Sequence, residues 1–290
     1  MKKHLLLMVV AAFGLLAVTM SVPVRQARAA QAPFVAPSVF QAAGPTEESI
    51  QGAVDEFRAA LGDPNNANDP GQPTGRREIN WDGAVPGTDT TTDPVTPFDV
   101  FLTSRGARFT TPGTGLSQAP ASGGPEGGLV DLFDNLTYST NFIAFSPLRM
   151  FTPVGSNVTE ALFFVPGAAD ADSVVPAVVT GFGAVFIDVD QPDGSGPGRR
   201  ANRRASTFME FFDADNKRVY SGFVPASPGD GNLSFLGIKF DDARIARVRI
   251  TAGTVAPGPD DDAKRDIVVM DDFIYGEPQP LPAGATVASP

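Results

Sequence analysis

The chain has 290 residues but no cysteine, and its only histidine is His4. Beyond the first few residues it therefore offers neither a thiol nor an imidazole. This excludes a Ser-His-Asp triad, Cys-His catalysis and a zinc site of the usual His/Cys type from the main part of the chain. It also excludes disulfides, so stability has to come from a large core or a bound ion. Carboxylates, hydroxyls, lysine, arginine and tyrosine remain as the available chemistry.

The first 29 residues have the composition of a secretory signal peptide. Lys2 and Lys3 precede an apolar run over 5–20, and an A-x-A site follows at 27–29. The run is shorter than the ~20 residues that cross a bilayer, so we expect cleavage after Ala29 and no membrane span in the mature protein. The formal net charge of −11 falls to −15 when the four basic residues of this segment are lost. We expect a secreted or periplasmic protein whose acidic surface disfavours nucleic acid.

The segment after the signal peptide, residues 30–74, is expected to be a linker that contains one helix at about 45–62. The linker prediction rests on the Ala/Pro-rich sequence of 31–44. The helix prediction rests on Thr46 as a candidate N-cap and on four apolar residues at helical spacing, Ile50, Val54, Phe57 and Leu61. At the other end of the chain, residues 279–290 are expected to form a disordered tail.

Between residues 75 and 278 the sequence consists of short β-like runs separated by Gly, Pro, Asn and Asp. FDVFLTS (98–104) and LVDLF (129–133) are among these predicted strands, and DADN (213–216) is a predicted hairpin loop. Strands without alternating helices predict an all-β fold, an antiparallel two-sheet β-sandwich of the jelly-roll kind with one N-terminal amphipathic helix. Two small β domains joined near 166–176 are the alternative.

Two stretches place carboxylates beside apolar residues. GRREINWDG (75–83) contains Glu78 and Asp82 together with the only tryptophan, and VVMDDFIYG (268–276) contains Asp271 and Asp272. Adjacent residues of a strand point to opposite faces, so one of the two aspartates should face inward. An unpaired carboxylate is costly there, so this aspartate needs an arginine, a hydrogen-bond network or a cation as its partner.

The segments TGFGAVFIDVD, MEFFDADNKRVYSGFVPAS, NLSFLGIKF, IARVRITAG and MDDFIYG resemble the terminal half of exported bacterial jelly-roll proteins, many of them uncharacterised. GRREINWDG and SRGARFTTPGTG resemble the N-terminal half of the same group, so the resemblance covers roughly residues 75–278. The chain differs from surface-sorted members of the group, because its C-terminal end is polar and Pro/Ala-rich where they carry a hydrophobic anchor. The closing strand is similar to that of calcium-binding carbohydrate-binding modules and related lectin-like sandwiches. There, an acid near the first strand and one in the last often hold a structural Ca²⁺.

This resemblance implies a structural calcium site formed by Glu78, Asp82, Asp271 and Asp272. The first and last strands of a jelly roll commonly lie close together, and oxygen ligands are what Ca²⁺ requires. In the alternative interpretation, Arg76 or Arg77 forms buried ion pairs with the aspartates and Trp81 belongs to the core.

Three classes of function are compatible with these observations. The favoured class is a non-catalytic protein that binds carbohydrate or another cell-surface ligand, with Trp81, Tyr220 and Tyr275 as candidate ligand-binding residues. One tryptophan and three tyrosines are few for this role, because sugars usually stack on exposed aromatic rings. A structural or adhesive envelope or matrix protein is the alternative. A carboxylate-dependent glycoside hydrolase is less favoured, although that chemistry needs neither His nor Cys.

Overall fold

The computed structural model describes residues 36–82, 93–123, 127–191, 206–260 and 265–281. The predicted signal peptide and residues 282–290 of the predicted tail lie outside these ranges. The described residues belong to a single compact unit. None of the described helices is long and apolar enough to cross a membrane.

Short strands make up most of the regular structure, with one long helix near the beginning. In chain order the described elements are β1 (Ser38–Gly44), α1 (Glu47–Leu61), β2 (Arg76–Ile79), α2 (Leu102–Arg105), β3 (Ala107–Thr110), β4 (Gly115–Pro120), α3 (Gly128–Phe133), α4 (Tyr138–Asn141), β5 (Arg149–Val154), β6 (Val158–Phe163), β7 (Ala177–Val178), β8 (Gly181–Ile187), β9 (Phe208–Phe212), β10 (Arg218–Phe223), β11 (Leu233–Lys239), β12 (Arg247–Thr251), β13 (Val269–Gly276) and β14 (Gln279–Pro280).

The strands form two main sheets in which every strand pair is antiparallel. The larger sheet has the order β1-β11-β8-β13-β5-β4, with β2 also paired to β13, and the smaller sheet has the order β10-β9-β12-β6-β3. Strands β7 and β14 form a separate short pair. One cluster of buried apolar side chains contains residues of both main sheets, so the sheets pack face to face. The described residues thus confirm a mainly β protein with two packed antiparallel sheets.

The central strands of the larger sheet, β8, β11 and β13, are buried on both faces. In β8, Phe182, Ala184 and Phe186 belong to the core between the sheets. Val185 and Ile187 instead belong to a second apolar cluster with residues of α1, α3 and α4. The alternation of a strand places these two sets on opposite faces. This double burial explains why GFGAVFI is apolar throughout rather than alternating with polar residues.

Helix α1 packs closely on the larger sheet through Phe57. Its buried residues are Ile50, Val54, Phe57 and Leu61. The Phe57 ring lies against the two glycines Gly183 and Gly237 of neighbouring strands. A Cβ atom on Gly237 would come within 2.8 Å of the ring, so the backbone of β11 can approach the helix only because that residue has no side chain.

Four segments differ from their sequence-based predictions. Residues 38–44 lie in the predicted linker but form β1, which pairs with β11 along its whole length. Gln279 and Pro280, predicted as the start of the tail, form β14. The predicted strands FDVFLTS and LVDLF instead contain helices α2 and α3. A short apolar run has the same composition in a buried strand and in a buried helical turn, so pattern alone does not separate them.

The fit of α1 on the sheet predicts opposite effects for two glycine substitutions. Gly237→Ala should lower the free energy of unfolding by roughly 1–3 kcal/mol, because the new methyl group overpacks against Phe57. Gly52→Ala lies on α1 with open space around its Cβ and should raise this free energy by about 0.5–1 kcal/mol. Urea unfolding of both variants measures the difference. Two shifts of the same sign would contradict the described docking of α1.

Candidate functional site

The two carboxylate-bearing stretches come together because β2 pairs with the second half of β13. In this register Arg77 is opposite Tyr275, and Glu78 is opposite Ile274. Asp272 and Asp271 lie two and three residues before Ile274 in β13, beside the end of β2. The structure therefore brings Glu78, Asp82 and the two aspartates into one region, as the resemblance to lectin-like sandwiches implied.

A β-bulge in β13 changes the directions of the two aspartates. The register with β8 shifts between Asp271 and Phe273, so Asp272 is the extra residue. Both carboxylates contact the hydroxyl group of Ser146, whose Oγ lies 3.3 Å from Asp271 Oδ1 and 2.7 Å from Asp272 Oδ1. The expectation that the two side chains point to opposite faces is wrong at this bulge, because it assumed a regular strand.

Asp271 is the more deeply buried of the two carboxylates, and its partners are mainly backbone amides. Its Oδ2 accepts hydrogen bonds from the N–H groups of Phe145 at 2.7 Å and Ser146 at 3.1 Å, and its Oδ1 accepts one from Asp272 N–H at 2.8 Å. Burial raises the pKa of Asp271 well above its usual value, and the charge of Asp272 raises it further. The carboxylate thus holds the segment around Ser146 against β13.

Asp272 and Glu78 are joined by an arginine of helix α1. The Nη2 atom of Arg58 lies 3.0 Å from Glu78 Oε2 and 3.3 Å from Asp272 Oδ2. Arg76 Nε also donates to Glu78 Oε1 at 2.7 Å. Burial raises the pKa of Asp272, and the Ser146 hydrogen bond and the charge of Arg58 act against this shift.

The arginine partners differ from those that the alternative interpretation named. Arg58 pairs with Asp272, whereas Arg76 pairs with Glu78 and with Asp63. Arg77 forms a bidentate pair with Glu277. Arg58 could not be identified from the sequence, because nothing in its local pattern indicates that α1 lies over the aspartates of β13.

The four acids do not have the arrangement of a calcium site. Asp82 Oδ1 accepts a hydrogen bond from the Arg149 N–H at 2.7 Å, so each of the four carboxylates already has donor partners within the protein. In the described parts of the chain there is no group of three or more His, Cys, Asp or Glu side chains that could hold a metal ion. The residues therefore fit ion pairing and backbone hydrogen bonding better than calcium coordination.

The three candidate ligand-binding aromatics are not gathered around one site. Trp81 is fully buried and stacks on Phe151 at a centroid distance of 3.9 Å, so it belongs to the core. Tyr275 is fully buried too, and its hydroxyl donates to the backbone oxygen of Arg105 at 2.9 Å. Tyr220 is half-buried on β10 of the other sheet. The prediction that Trp81 and Tyr275 bind ligand is wrong, because neither ring has an exposed face.

A polar cavity of about 490 Å³ lies where α1, β2 and β13 meet the segment 145–147. Phe145 and Pro147 are the apolar members of its lining. The polar members are Glu47, Gln51 and Arg58 of α1, Asn65, Glu78 and Asn80 in or near β2, and Arg105, Ser146 and Asp272. The cavity therefore combines fixed charged groups with amide and hydroxyl groups that donate and accept hydrogen bonds.

Comparison with known proteins gave no match to this chain, whether among family models, curated proteins or solved structures. The proposed function therefore rests on the geometry of the site and on the sequence patterns described above.

The arrangement of the acids predicts that calcium does not stabilise the fold. The thermal unfolding midpoint of the protein from Ala30 onward should be the same in excess EDTA and in millimolar Ca²⁺. An ion that binds only the folded state at 100 times its Kd adds ~2.7 kcal/mol, which would raise the midpoint by several degrees. The same two midpoints are measured for Asp272→Ala and for Asp241→Ala, a control that removes an exposed carboxylate. A rise in the parent and in Asp241→Ala that is absent in Asp272→Ala would restore the calcium interpretation.

Proposed function

We propose that this is an exported, non-catalytic binding protein, and that its ligand is a carbohydrate held in the polar cavity between α1 and the β2/β13 pair. The cavity is the observation that carries the proposal. Its volume of about 490 Å³ lies within the ~300–1,000 Å³ typical of small-molecule sites. The composition of residues 1–29 supports export.

The lining matches the hydrogen-bonding chemistry of a polyhydroxylated ligand. Each sugar hydroxyl can donate one hydrogen bond and accept others. In the lining, the carboxylates of Glu78 and Asp272 can accept hydrogen bonds, and the guanidinium groups of Arg58 and Arg105 can donate them. The exposed side-chain amide of Asn80 can do both. Phe145 is the aromatic member of the lining and is largely buried, so hydrogen bonds rather than ring stacking would contribute most of the affinity.

The lining is held in place before any ligand arrives. Arg58 fixes the side chains of Glu78 and Asp272, and the backbone amides of 145 and 146 bind Asp271 directly behind them. A site fixed by such contacts loses little conformational entropy when it binds. This preorganisation supports a recognition role for the cavity.

The alternative function is a structural or adhesive protein of the envelope or matrix, in which the sandwich serves as a scaffold. An open, ligand-sized cavity favours binding over this alternative. A glycoside hydrolase needs one carboxyl group that protonates the leaving group and a second that attacks or activates water. Glu78 and Asp272 instead share the guanidinium of Arg58, so catalysis and structural calcium are left out of the proposal.

The jelly-roll topology and the kinship to lectin-like modules are also proposals. Their support is that neighbouring strands come from distant parts of the chain. In the larger sheet, β13 lies between β8 on one side and β2 and β5 on the other. A closing strand in the middle of a sheet agrees with the resemblance of GRREINWDG and MDDFIYG to the two halves of such proteins.

A glycan array screened with the protein from Ala30 onward tests the binding function. We expect a defined set of glycans to bind, and Asn80→Ala to weaken that binding about fivefold, because a neutral hydrogen bond contributes about 1 kcal/mol. Gln41→Ala removes an exposed amide on β1, which is not part of the cavity lining, and should leave the affinity unchanged. The absence of any bound glycan, or equal affinities of the two variants, would contradict the proposal.

A further inference from the structure

Arg105 is held rigidly at the wall of the cavity. It ends helix α2, and its Nη1 donates to the backbone oxygen of Glu78, while its Nε donates to Asn68 Oδ1 at 3.0 Å. The guanidinium carbon also lies 5.3 Å from the centroid of the Phe101 ring. These contacts fix the plane of the guanidinium group, and they leave the second terminal nitrogen, Nη2, without a hydrogen bond to the described residues.

Arg105 differs from the other arginines of this region in having no carboxylate partner. Arg58, Arg76 and Arg77 each form an ion pair, whereas Arg105 forms none with the described residues. Burial lowers the pKa of the Arg105 guanidinium and the nearby charge of Arg77 lowers it further, whereas Tyr275 and the charge of Glu78 act against this shift. A partly buried guanidinium without an ion-pair partner is stabilised by an anion that accepts a hydrogen bond from it.

The acids of the cavity lining near β2 form ion pairs with other arginines and not with Arg105. Glu78 and Asp272 pair with Arg58 and Arg76, and these two arginines also pair with Asp55 and Asp63. Glu47, the remaining acid of the lining, is exposed to solvent at the start of α1. Water screens an exposed carboxylate strongly, whereas a guanidinium in the wall of a cavity keeps most of its attraction for an anion.

We propose that the ligand is an acidic carbohydrate whose carboxylate binds to Arg105, as in a polysaccharide built from uronic acids. This inference rests on the proposed function and names the ligand class of the same cavity. The free Nη2 of Arg105 binds the carboxylate, and the hydroxyls of the sugar bond to Glu78, Asp272 and Asn80. The carboxylate supplies the ion-pair partner that Arg105 does not have among the described residues.

Calorimetric titration with three uronate oligosaccharides and their carboxyl-reduced counterparts tests the inference. The probes are oligomers of galacturonate, of mannuronate and guluronate, and of glucuronate with N-acetylglucosamine, and a sulfated neutral oligosaccharide of similar length accompanies them. We expect at least one uronate oligomer to bind, and its reduced form to bind about fivefold more weakly, because a charge-assisted hydrogen bond is roughly twice as strong as a neutral one of about 1 kcal/mol. Raising the salt concentration should weaken only the binding of the acidic form.

Substitution at Arg105 links this binding to one residue. Arg105→Gln should remove the preference for the acidic oligomer over its reduced form, and Arg105→Lys should retain part of it because the positive charge remains. Arg244→Gln, which removes an arginine outside the cavity lining, is the control and should keep the full preference. Circular dichroism confirms that each variant is folded, and Arg105→Lys serves as the test if Arg105→Gln does not fold.

Four results would overturn the inference. Equal binding of acidic and reduced forms, or binding of neutral glycans alone, would leave the binding function intact but remove the acidic ligand. Binding of the sulfated probe alone would assign a different anion to Arg105. If no glycan binds either in the array or in solution, the proposed function fails together with the inference.

Discussion

The buried ion pair of Arg77 and Glu277 is the contact on which the functional end of the molecule depends. The side chains are 0% and 2% exposed, and two hydrogen bonds of 2.6 and 2.7 Å join them. Arg77 also donates to the backbone oxygens of Ala67 and Asp69, and Glu277 also accepts from Asn66. A buried pair is tolerated when such additional bonds satisfy both groups. This one ties β2, the end of β13 and the loop between α1 and β2 into one unit.

The side chains of the stretch GRREINWDG alternate between the core and the cavity. Arg77, Ile79 and Trp81 are buried and anchor the strand in the core. Glu78 and Asn80, on the other face, line the cavity beneath α1. The buried side chains of Arg77, Ile79 and Trp81 fix the backbone from which Glu78 and Asn80 reach the cavity. On the side of the cavity formed by α1, Arg58 forms an ion pair with Glu78.

The sequence was sufficient for the features that depend on local pattern, and insufficient for those that depend on distant contacts. Alternating runs predicted the two-sheet architecture, and the DADN turn marked the hairpin of β9 and β10. The strand character of β1 was missed because it depends on pairing with β11. The bulge at Asp272 and the ion pair between Arg58 and Asp272 were missed for the same reason, since both arise where separate segments meet. Consequently Glu78 and Asp272 of the cavity lining were singled out from the sequence, whereas Glu47 and the arginine partners were not.

Urea unfolding of Arg77→Met tests most directly whether the buried pair holds this end of the molecule together. The substitution keeps a long apolar side chain but leaves Glu277 buried without its counter-charge. The account predicts a loss of about 3–5 kcal/mol in the free energy of unfolding. Arg244→Met, which breaks a pair with the exposed Asp242, should lose less than about 1 kcal/mol. A loss in Arg77→Met as small as that of Arg244→Met would contradict the account.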